Sequence, residues 1–376
     1  MKSLKRTLLS SILSIIAVLS LAMPDAYASK SISIPAKELA ASSTFQIDFI
    51  DVGQGDAALV ECDGHYMLVD GGGSKKSDLI YTYLKNRKIT YLDYIVATHP
   101  DADHIGGLSA ALNYAAVGTA LSPVTTHTTK TFQSFLKYLQ KQNKQITVPA
   151  AGDTFMLGSA SVYVLGPVSA SEESNNNSIV LRIVYGETSF LLTGDAEFDE
   201  EREIIDSKAD LHSTLIKIAH HGSKYSTSYY WLREVAPEYA IISVGADNQY
   251  GHPTDDVLSR LRDADVKTFR TDINGDIICK SDGKTITVTP SKNAGTDTPL
   301  ANNNTNKNAS VQKSTETTPT AQTASYTYIL NSNTHKFHYA SCKSVKQMKD
   351  SNKITSNDSR DTIIAQGYSP CKNCNP

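Results

Sequence analysis

Apolar positions along the chain fall into short runs that alternate with amphipathic stretches. Phe45-Gln-Ile-Asp-Phe-Ile50 alternates apolar and polar residues, while Ala57-Ala-Leu-Val60 and Tyr66-Met-Leu-Val69 are compact apolar runs. Leu79 to Lys88 then carries helical spacing ahead of the apolar Tyr94-Ile-Val-Ala-Thr98. These patterns predict strands around a helix. The theme returns further on: Val162–Leu165, Ile179–Val184, Ser189–Leu192, Leu215–Ile218 and Tyr239–Val244 read as strands, and Phe132–Gln142, Glu197–Ile205 and Val257–Ala264 as helices. Two batches of strands, each closed by helices, predict an α/β architecture of two sheets packed face to face with helices outside.

Two stretches break this pattern. Lys2, Lys5 and Arg6 precede an apolar run from Leu8 to Met23, and Ala26-Tyr-Ala28 follows it, so residues 1–28 read as a secretory signal peptide. The run contains Ser10, Ser11, Ser14 and Ser20 and is short for a bilayer span of roughly 20 residues. No cysteine directly follows it to take a lipid, and no later stretch is apolar enough to cross a bilayer. The expectation is a mature chain from near Ser29 that is secreted, extracellular or associated with the cell wall. The second break spans residues 291–325, almost wholly Asn, Thr, Ser, Ala, Lys and Gln without an aromatic residue. Such a stretch cannot bury enough apolar surface to fold and predicts a flexible tether, with a root-mean-square reach on the order of 30 Å. It separates a large domain, residues 44–290, from a small one, residues 326–376.

Composition narrows the chemistry less than the motifs do. The net charge of −3 gives no global basic field of the kind that marks a nucleic-acid binder, so a polyanionic substrate would be held locally. His99-Pro-Asp-Ala-Asp-His104 packs four potential metal ligands into six residues directly after an apolar strand. Mixed imidazole and carboxylate donors favour a borderline divalent pair holding an activated water. The glycines of Ile105-Gly-Gly-Leu108 are expected to let the backbone turn tightly beneath those ligands and start a helix. Thr193-Gly-Asp195 and His220-His-Gly-Ser223 each follow a further strand, which makes three strand-end sites in chain order. Cys62 and Cys279 could pair in an exported protein, although strands also bury single cysteines.

Seven motifs in order give the large domain a resemblance to the metallo-β-lactamase fold, specifically its ComEC-like subgroup. They are Asp51-Val-Gly-Gln-Gly-Asp-Ala57, Val69-Asp-Gly-Gly72, Thr98-His-Pro-Asp-Ala-Asp-His-Ile-Gly-Gly107, Asn177-Ser178, Leu192-Thr-Gly-Asp195, His220-His-Gly-Ser223 and Gly251-His-Pro253. The resemblance implies an αββα sandwich with two divalent ions, zinc or manganese, in a cleft at one edge of the sheets. It implies His99 and Asp101 on one ion, Asp103, His104 and His221 on the other, and Asp195 between them. His220 would donate to a substrate oxygen or leaving group, and Asp103 is the ligand on which turnover should depend. Asp56, Asn177, Ser178 and His252 are expected to stand behind the ligands. The wider family's motif is His-x-His-x-Asp-His, so Asp101 stands where a second histidine is usual, and Asn177-Ser178 stands nearest the usual third-motif histidine. A carboxylate in that place makes β-lactam hydrolysis the weaker expectation and a harder first metal site the stronger one.

The small domain carries its own signature, His338-x3-Cys342 with Cys371-x2-Cys374. Four soft or borderline ligands in two close pairs predict a closed tetrahedral zinc site able to fold about fifty residues. Phe337-His-Tyr-Ala-Ser-Cys342 with Gly367-Tyr-Ser-Pro-Cys-Lys-Asn-Cys-Asn-Pro376 resembles the zinc-binding domain of the Ada DNA-repair protein. In that family the position of His338 is a cysteine that accepts a methyl group, so the resemblance implies structural zinc without methyl transfer here. Phosphate-backbone contact through Lys336, Lys343, Lys346, Lys349 and Arg360 is a further implication. Together these readings point to an exported, metal-dependent phosphodiesterase or nuclease whose partner is DNA or another phosphodiester polymer, with no protein partner evident. The alternatives are hydrolysis of a cell-wall phosphodiester or a small ester or lactone, and a non-catalytic DNA- or envelope-binding role.

Overall fold

A computed structural model describes residues 39, 42–293, 327–340, 342–358, 363, 368–371 and 374. The expected signal segment, nearly all of the expected tether, and Arg360 lie outside the described residues. The chain divides into two compact units, Met1–Thr305 and Asn306–Pro376.

In the first unit the strands in chain order are β1 (Phe45–Phe49), β2 (Ala58–Cys62), β3 (His65–Val69), β4 (Tyr91–Val96), β5 (Ala116–Leu121), β6 (Ile146–Thr147), β7 (Thr154–Leu157), β8 (Ala160–Gly166), β9 (Val180–Tyr185), β10 (Thr188–Leu192), β11 (Leu215–Lys217), β12 (Tyr239–Ile242), β13 (Lys267–Arg270), β14 (Ile277–Ser281) and β15 (Ile286–Pro290). One sheet runs β15-β14-β1-β2-β3-β4-β5-β6 and the other β13-β12-β11-β10-β9-β8-β7. The two batches read from the sequence thus become two sheets, and the last hairpin, β14–β15, which that reading did not include, crosses back to pair antiparallel with β1 in the first sheet.

Side-chain alternation explains the layering. On β2, Ala58 and Val60 face a core shared with Val162, Leu181, Ile183, Phe190 and Leu215 of the second sheet. Leu59, between them, faces the opposite way, into a cluster with Leu84, Leu108, Leu112, Phe132 and Phe135 from the helices. The second sheet does the same, with Leu191, Ile216 and Ala240 packed on Ile204, Trp231, Leu232, Leu258 and Leu261. The result is a four-layer αββα sandwich in which both faces of each sheet are apolar, so central strands read as apolar runs rather than alternating ones. Each fully buried leucine or phenylalanine in these layers contributes about 1.5–3 kcal/mol.

The helix over Lys130–Lys141 starts where Thr129 caps it, its side chain accepting from the Phe132 amide. Ser228 caps Tyr229–Val235 in the same way, a helix that the sequence pattern did not reveal because three consecutive aromatics mask its period. Cys62 and Cys279 are both buried free thiols on strands that flank β1 on opposite sides.

The second unit is a four-stranded sheet ordered β18-β16-β17-β19, with β16 (Tyr328–Asn331), β17 (Lys336–Tyr339), β18 (Lys353–Ser356) and β19 (Ser369–Pro370). Among the described residues its apolar cluster has Tyr328, Leu330, Phe337 and Ile363 as buried members. A core that small needs another source of stability. Among the described residues no helix is long and apolar enough to cross a membrane.

Candidate metal centre

Three strand ends of the first unit converge at one edge of the sandwich. β4 delivers His99 and, through the turn Ala102–Ile105, Asp103 and His104; β10 delivers Asp195; β11 delivers His220 and His221. The last two have φ of 49° and 53°, in the left-handed region that costs a β-carbon-bearing residue energy. This kink sends the adjacent imidazoles in different directions, their rings 75° apart.

Asp195 is the hub. Its Oδ2 lies 3.2 Å from His104 Nε2, 3.5 Å from His221 Nε2, and 3.9 Å from both His99 Nε2 and His220 Nε2. Asp103 Oδ2 is 3.4 Å from His221 Nε2, and Asp101 Oδ2 is 3.8 Å from His99 Nε2. All the expected ligands are therefore gathered, with Asp101, 45% exposed, at the solvent rim.

The opposite ring nitrogens are occupied by the protein. His104 Nδ1 lies 2.9 Å from Asp70 Oδ2, and the Thr98 hydroxyl donates to that same carboxylate while accepting from His99 Nδ1 at 3.1 Å. His221 Nδ1 donates to the Ser243 carbonyl at 2.9 Å, with Asp56 Oδ1 at 3.2 Å. With Nδ1 engaged, each ring presents Nε2 inward, which is how outer partners set a metal-binding tautomer. Among the described residues, the Nε2 atoms of His99, His104 and His221 and the Asp195 Oδ1 are buried with no hydrogen-bond partner. Orphaned buried atoms of this kind are costly unless a cation completes them, so the donor set fits divalent metal.

The electrostatics agree. Burial would lower the His104 pKa, yet the Asp195 and Asp70 carboxylates hold it well above the ordinary imidazole value. At His221 burial is likewise outweighed, by Asp195, Asp103 and Asp56, and the pKa rises to about 9. Burial, reinforced by His104, takes His99 the other way, to about 4. Burial opposes ionisation of Asp195, but His104, His221 and His99 hold its carboxyl well below the usual range. The carboxylates thus demand positive charge at the centre of the cluster, which a divalent ion supplies without protons.

Asp56, His104, Asp195 and His221 each place one ligand atom within 4.8 Å of the others. Asp56 also faces His221 Nδ1 and makes a short ion pair with the buried Lys217 amine, contacts that place it behind the ring. Lys217 also donates to the Gly194 carbonyl at 3.3 Å, one residue before Asp195. Ser178 is buried, its hydroxyl accepting from the Asp195 amide at 3.0 Å. His252 stands against His220, ring centroids 5.5 Å apart. Asn177 departs from expectation: its amide bonds Ser171 and Glu173 in its own loop, away from the ligands. The short turn Ser174–Asn177 rotates successive side chains apart, and Asn176, not Asn177, accepts from the Glu197 amide.

Several residues in this shell had no role in the sequence reading, Asp70, Lys217, Glu197 and Glu200 among them. Asp70 lay inside a quoted motif, and Lys217 interrupts an apolar strand, a signal that a buried charge has a partner. Glu197, 3.1 Å from His220 Nδ1, and Glu200, whose Oε2 accepts from the Ser178 amide at 3.3 Å, gave no local signal. The paired glycines also act differently from expectation. Gly106 and Gly107 have ordinary helical backbone, and a Cβ on Gly107 would meet the Gly71 carbonyl oxygen at 2.1 Å, so they permit close approach rather than a tight turn.

The second unit gathers His338 from β17, Cys342 before the turn Lys343–Lys346, and Cys371 and Cys374 after β19, with one ligand atom of each within 4.8 Å of the others. Among the described residues, neither ring nitrogen of the buried His338 has a hydrogen-bond partner. Burial raises the Cys342 thiol pKa, but hydrogen bonds with Cys374 and Ser344 outweigh it and lower the value, favouring the thiolate that zinc needs. Lys343, Lys346 and Lys349 are exposed, and Lys336 is half-buried.

Comparison with known proteins bears on the first unit. Residues 50–246 match the family described as the metallo-beta-lactamase superfamily. ComE operon protein 3 of Bacillus subtilis is 31% identical over 255 residues, covering 63% of this chain and 33% of that protein. Competence protein ComA of Neisseria gonorrhoeae is 30% identical over 227 residues, covering 60% of this chain and 30% of that protein. Recombination protein 2 of Haemophilus influenzae is 30% identical over 240 residues, covering 62% and 28%. The chain spans about a third of the length of these relatives.

Proposed function

From the premise that the chain belongs to the metallo-beta-lactamase superfamily and is a metal-dependent hydrolase related to competence proteins, we propose that it is an exported phosphodiesterase that cleaves DNA. The observation that carries this reading is the Asp195 hub, one carboxylate oxygen faced by four imidazole Nε2 atoms, three of them buried and otherwise unpartnered. Competence-protein relatives favour DNA among phosphodiesters.

In this reading His99 and Asp101 would hold one divalent ion and Asp103, His104 and His221 a second, with Asp195 available to both. Bound there, the ions would lower the pKa of a coordinated water and neutralise charge building on the phosphoryl oxygens. The protein's own residues do the rest. Asp70, Thr98, Ser243 and Asp56 fix the ring orientations, and Lys217 and Ser178 hold the Asp195 segment through its backbone. His220 is the proton donor to the leaving oxygen. Glu197 accepts from its Nδ1 and so stabilises the charged ring and directs Nε2 toward the cleft.

The second unit is a zinc-stabilised module on a tether, which raises the local concentration of a polymeric substrate. Cleavage of linear single- and double-stranded DNA by residues 29–376 with manganese or zinc, beside Asp103→Asn, tests the reading. Cleavage by the unsubstituted protein alone supports it. Absence of cleavage with every metal would transfer it to a wall phosphodiester, a small ester or a binding role.

A further inference from the structure

Tyr250 is the most exposed large apolar side chain among the described residues, at 63%. It stands beside the metal centre rather than on a remote face. Its ring stacks on His252, with centroids 5.7 Å apart and planes 28° apart, and His252 meets His220 edge-on at 5.5 Å and 81°. His220 Nε2 in turn lies 3.9 Å from Asp195 Oδ2. A ladder of three rings therefore leads from solvent to the hub.

The loop that carries the ladder is built, not loose. The Asn248 side chain accepts from the amides of Tyr250 and His252, at 3.2 and 3.0 Å, and donates to the carbonyls of Gly245 and His252, at 2.8 and 2.6 Å. At the loop's start a Cβ on Gly245 would lie 2.7 Å from the Gln54 amide nitrogen, so the backbone is seated on the segment that leads to Asp56. At its end Thr254 donates from its amide and its hydroxyl to the Gly222 carbonyl, directly after His221. A tyrosine with a purely structural role would bury its ring; this loop instead clamps the backbone and leaves the Tyr250 ring in water.

An aromatic face held rigidly beside a phosphodiester-cleaving centre suits one ligand chemistry. Every nucleobase offers a π-face, and stacking on an exposed aromatic tolerates all sequences. The geometry points to Tyr250 as a stacking platform for the nucleobase next to the scissile phosphate, with His252 as its backing. This assignment rests on the phosphodiester reading and adds a determinant of substrate class to it: single-stranded or frayed nucleic acid, whose bases are free to stack, over a closed duplex.

The test compares short single-stranded oligonucleotides with intact bases against oligonucleotides of the same length carrying an abasic site at each position. The metal-loaded protein and its Tyr250→Ala and Tyr250→Phe variants are assayed for binding by fluorescence anisotropy and, separately, for cleavage. Tyr250→Ala is expected to weaken binding of the base-bearing strand about tenfold, as for loss of one stacked base, and to leave the abasic strand within twofold. Tyr250→Phe should retain the unsubstituted affinity, because stacking needs the ring and not the hydroxyl. Equal losses on both strands, or no loss on either, would overturn the assignment. Base-dependent binding without any cleavage would sink the hydrolase reading while leaving the platform, and cleavage indifferent to Tyr250 would do the reverse.

Discussion

Glu197 Oε1 lies 3.1 Å from His220 Nδ1, and the far nitrogen of the same ring lies 3.9 Å from Asp195 Oδ2. The imidazole is thus oriented by one carboxylate while it faces the hub, and hydrogen bonding to His220 is the foremost cause of the lowered Glu197 pKa. Glu197→Gln keeps a partner for the ring but removes the charge that stabilises its protonated form. Turnover of substrates with poor leaving groups should fall roughly tenfold, while p-nitrophenolate esters, which need no protonation, are hardly affected. Equal losses on both substrates would show that Glu197 serves only the fold.

Asp70 is not among the expected ligands, yet it accepts from the Thr98 amide and hydroxyl and lies on His104 Nδ1. Asp70→Asn is expected to weaken metal binding about 10- to 100-fold, the usual consequence of losing such an outer partner. Competition with a chromogenic chelator measures it. Chelation of the unsubstituted protein should also lower its Tm, because ligands that bind only the folded state stabilise it by mass action.

Glu201 is buried, and desolvation raises its pKa to about 7 despite amides of Thr227 and Ser228 pointing at it. A folded-state value above the unfolded one means that the folded chain binds the proton more tightly between about pH 4.5 and 7. The contribution of Glu201 to stability is therefore complete below pH 4.5 and declines by about 3 kcal/mol as pH rises through 7, from 1.36 kcal/mol per pKa unit. Urea midpoints across that range should show the slope, and Glu201→Gln should flatten it. Parallel curves for the two proteins would refute the assignment.

Cys374 completes a four-ligand cluster over a core with few buried apolar side chains among the described residues. Cys374→Ser should cost the chain one equivalent of zinc by elemental analysis and make the second unit sensitive to proteolysis, because binding free energy at such a site is folding free energy. The metal content of the first unit should not change. Retention of full zinc would show that the cluster is not a metal site.

Much of this protein was written locally. Apolar runs and their spacing determined two batches of strands, the helices that close them and the strand ends that carry His99, Asp195 and His221, because a side chain's period reports which face is buried. Ligand types in close succession, as in His99 to His104 and in Cys371 to Cys374, announced metal chemistry without a structure. Only the tertiary structure decided which sheet takes the hairpin β14–β15, since the pattern of a strand states that it is covered and not by what. It also decided which of Asn176, Asn177 and Ser178 faces the centre, a matter of one turn's rotation. The roles of Asp70, Glu197 and Lys217 belong to the same class. Each acts across 20 or more residues of chain on a ring or carboxylate it meets only after the sheets have packed, and no local pattern encodes a partner that distant in sequence.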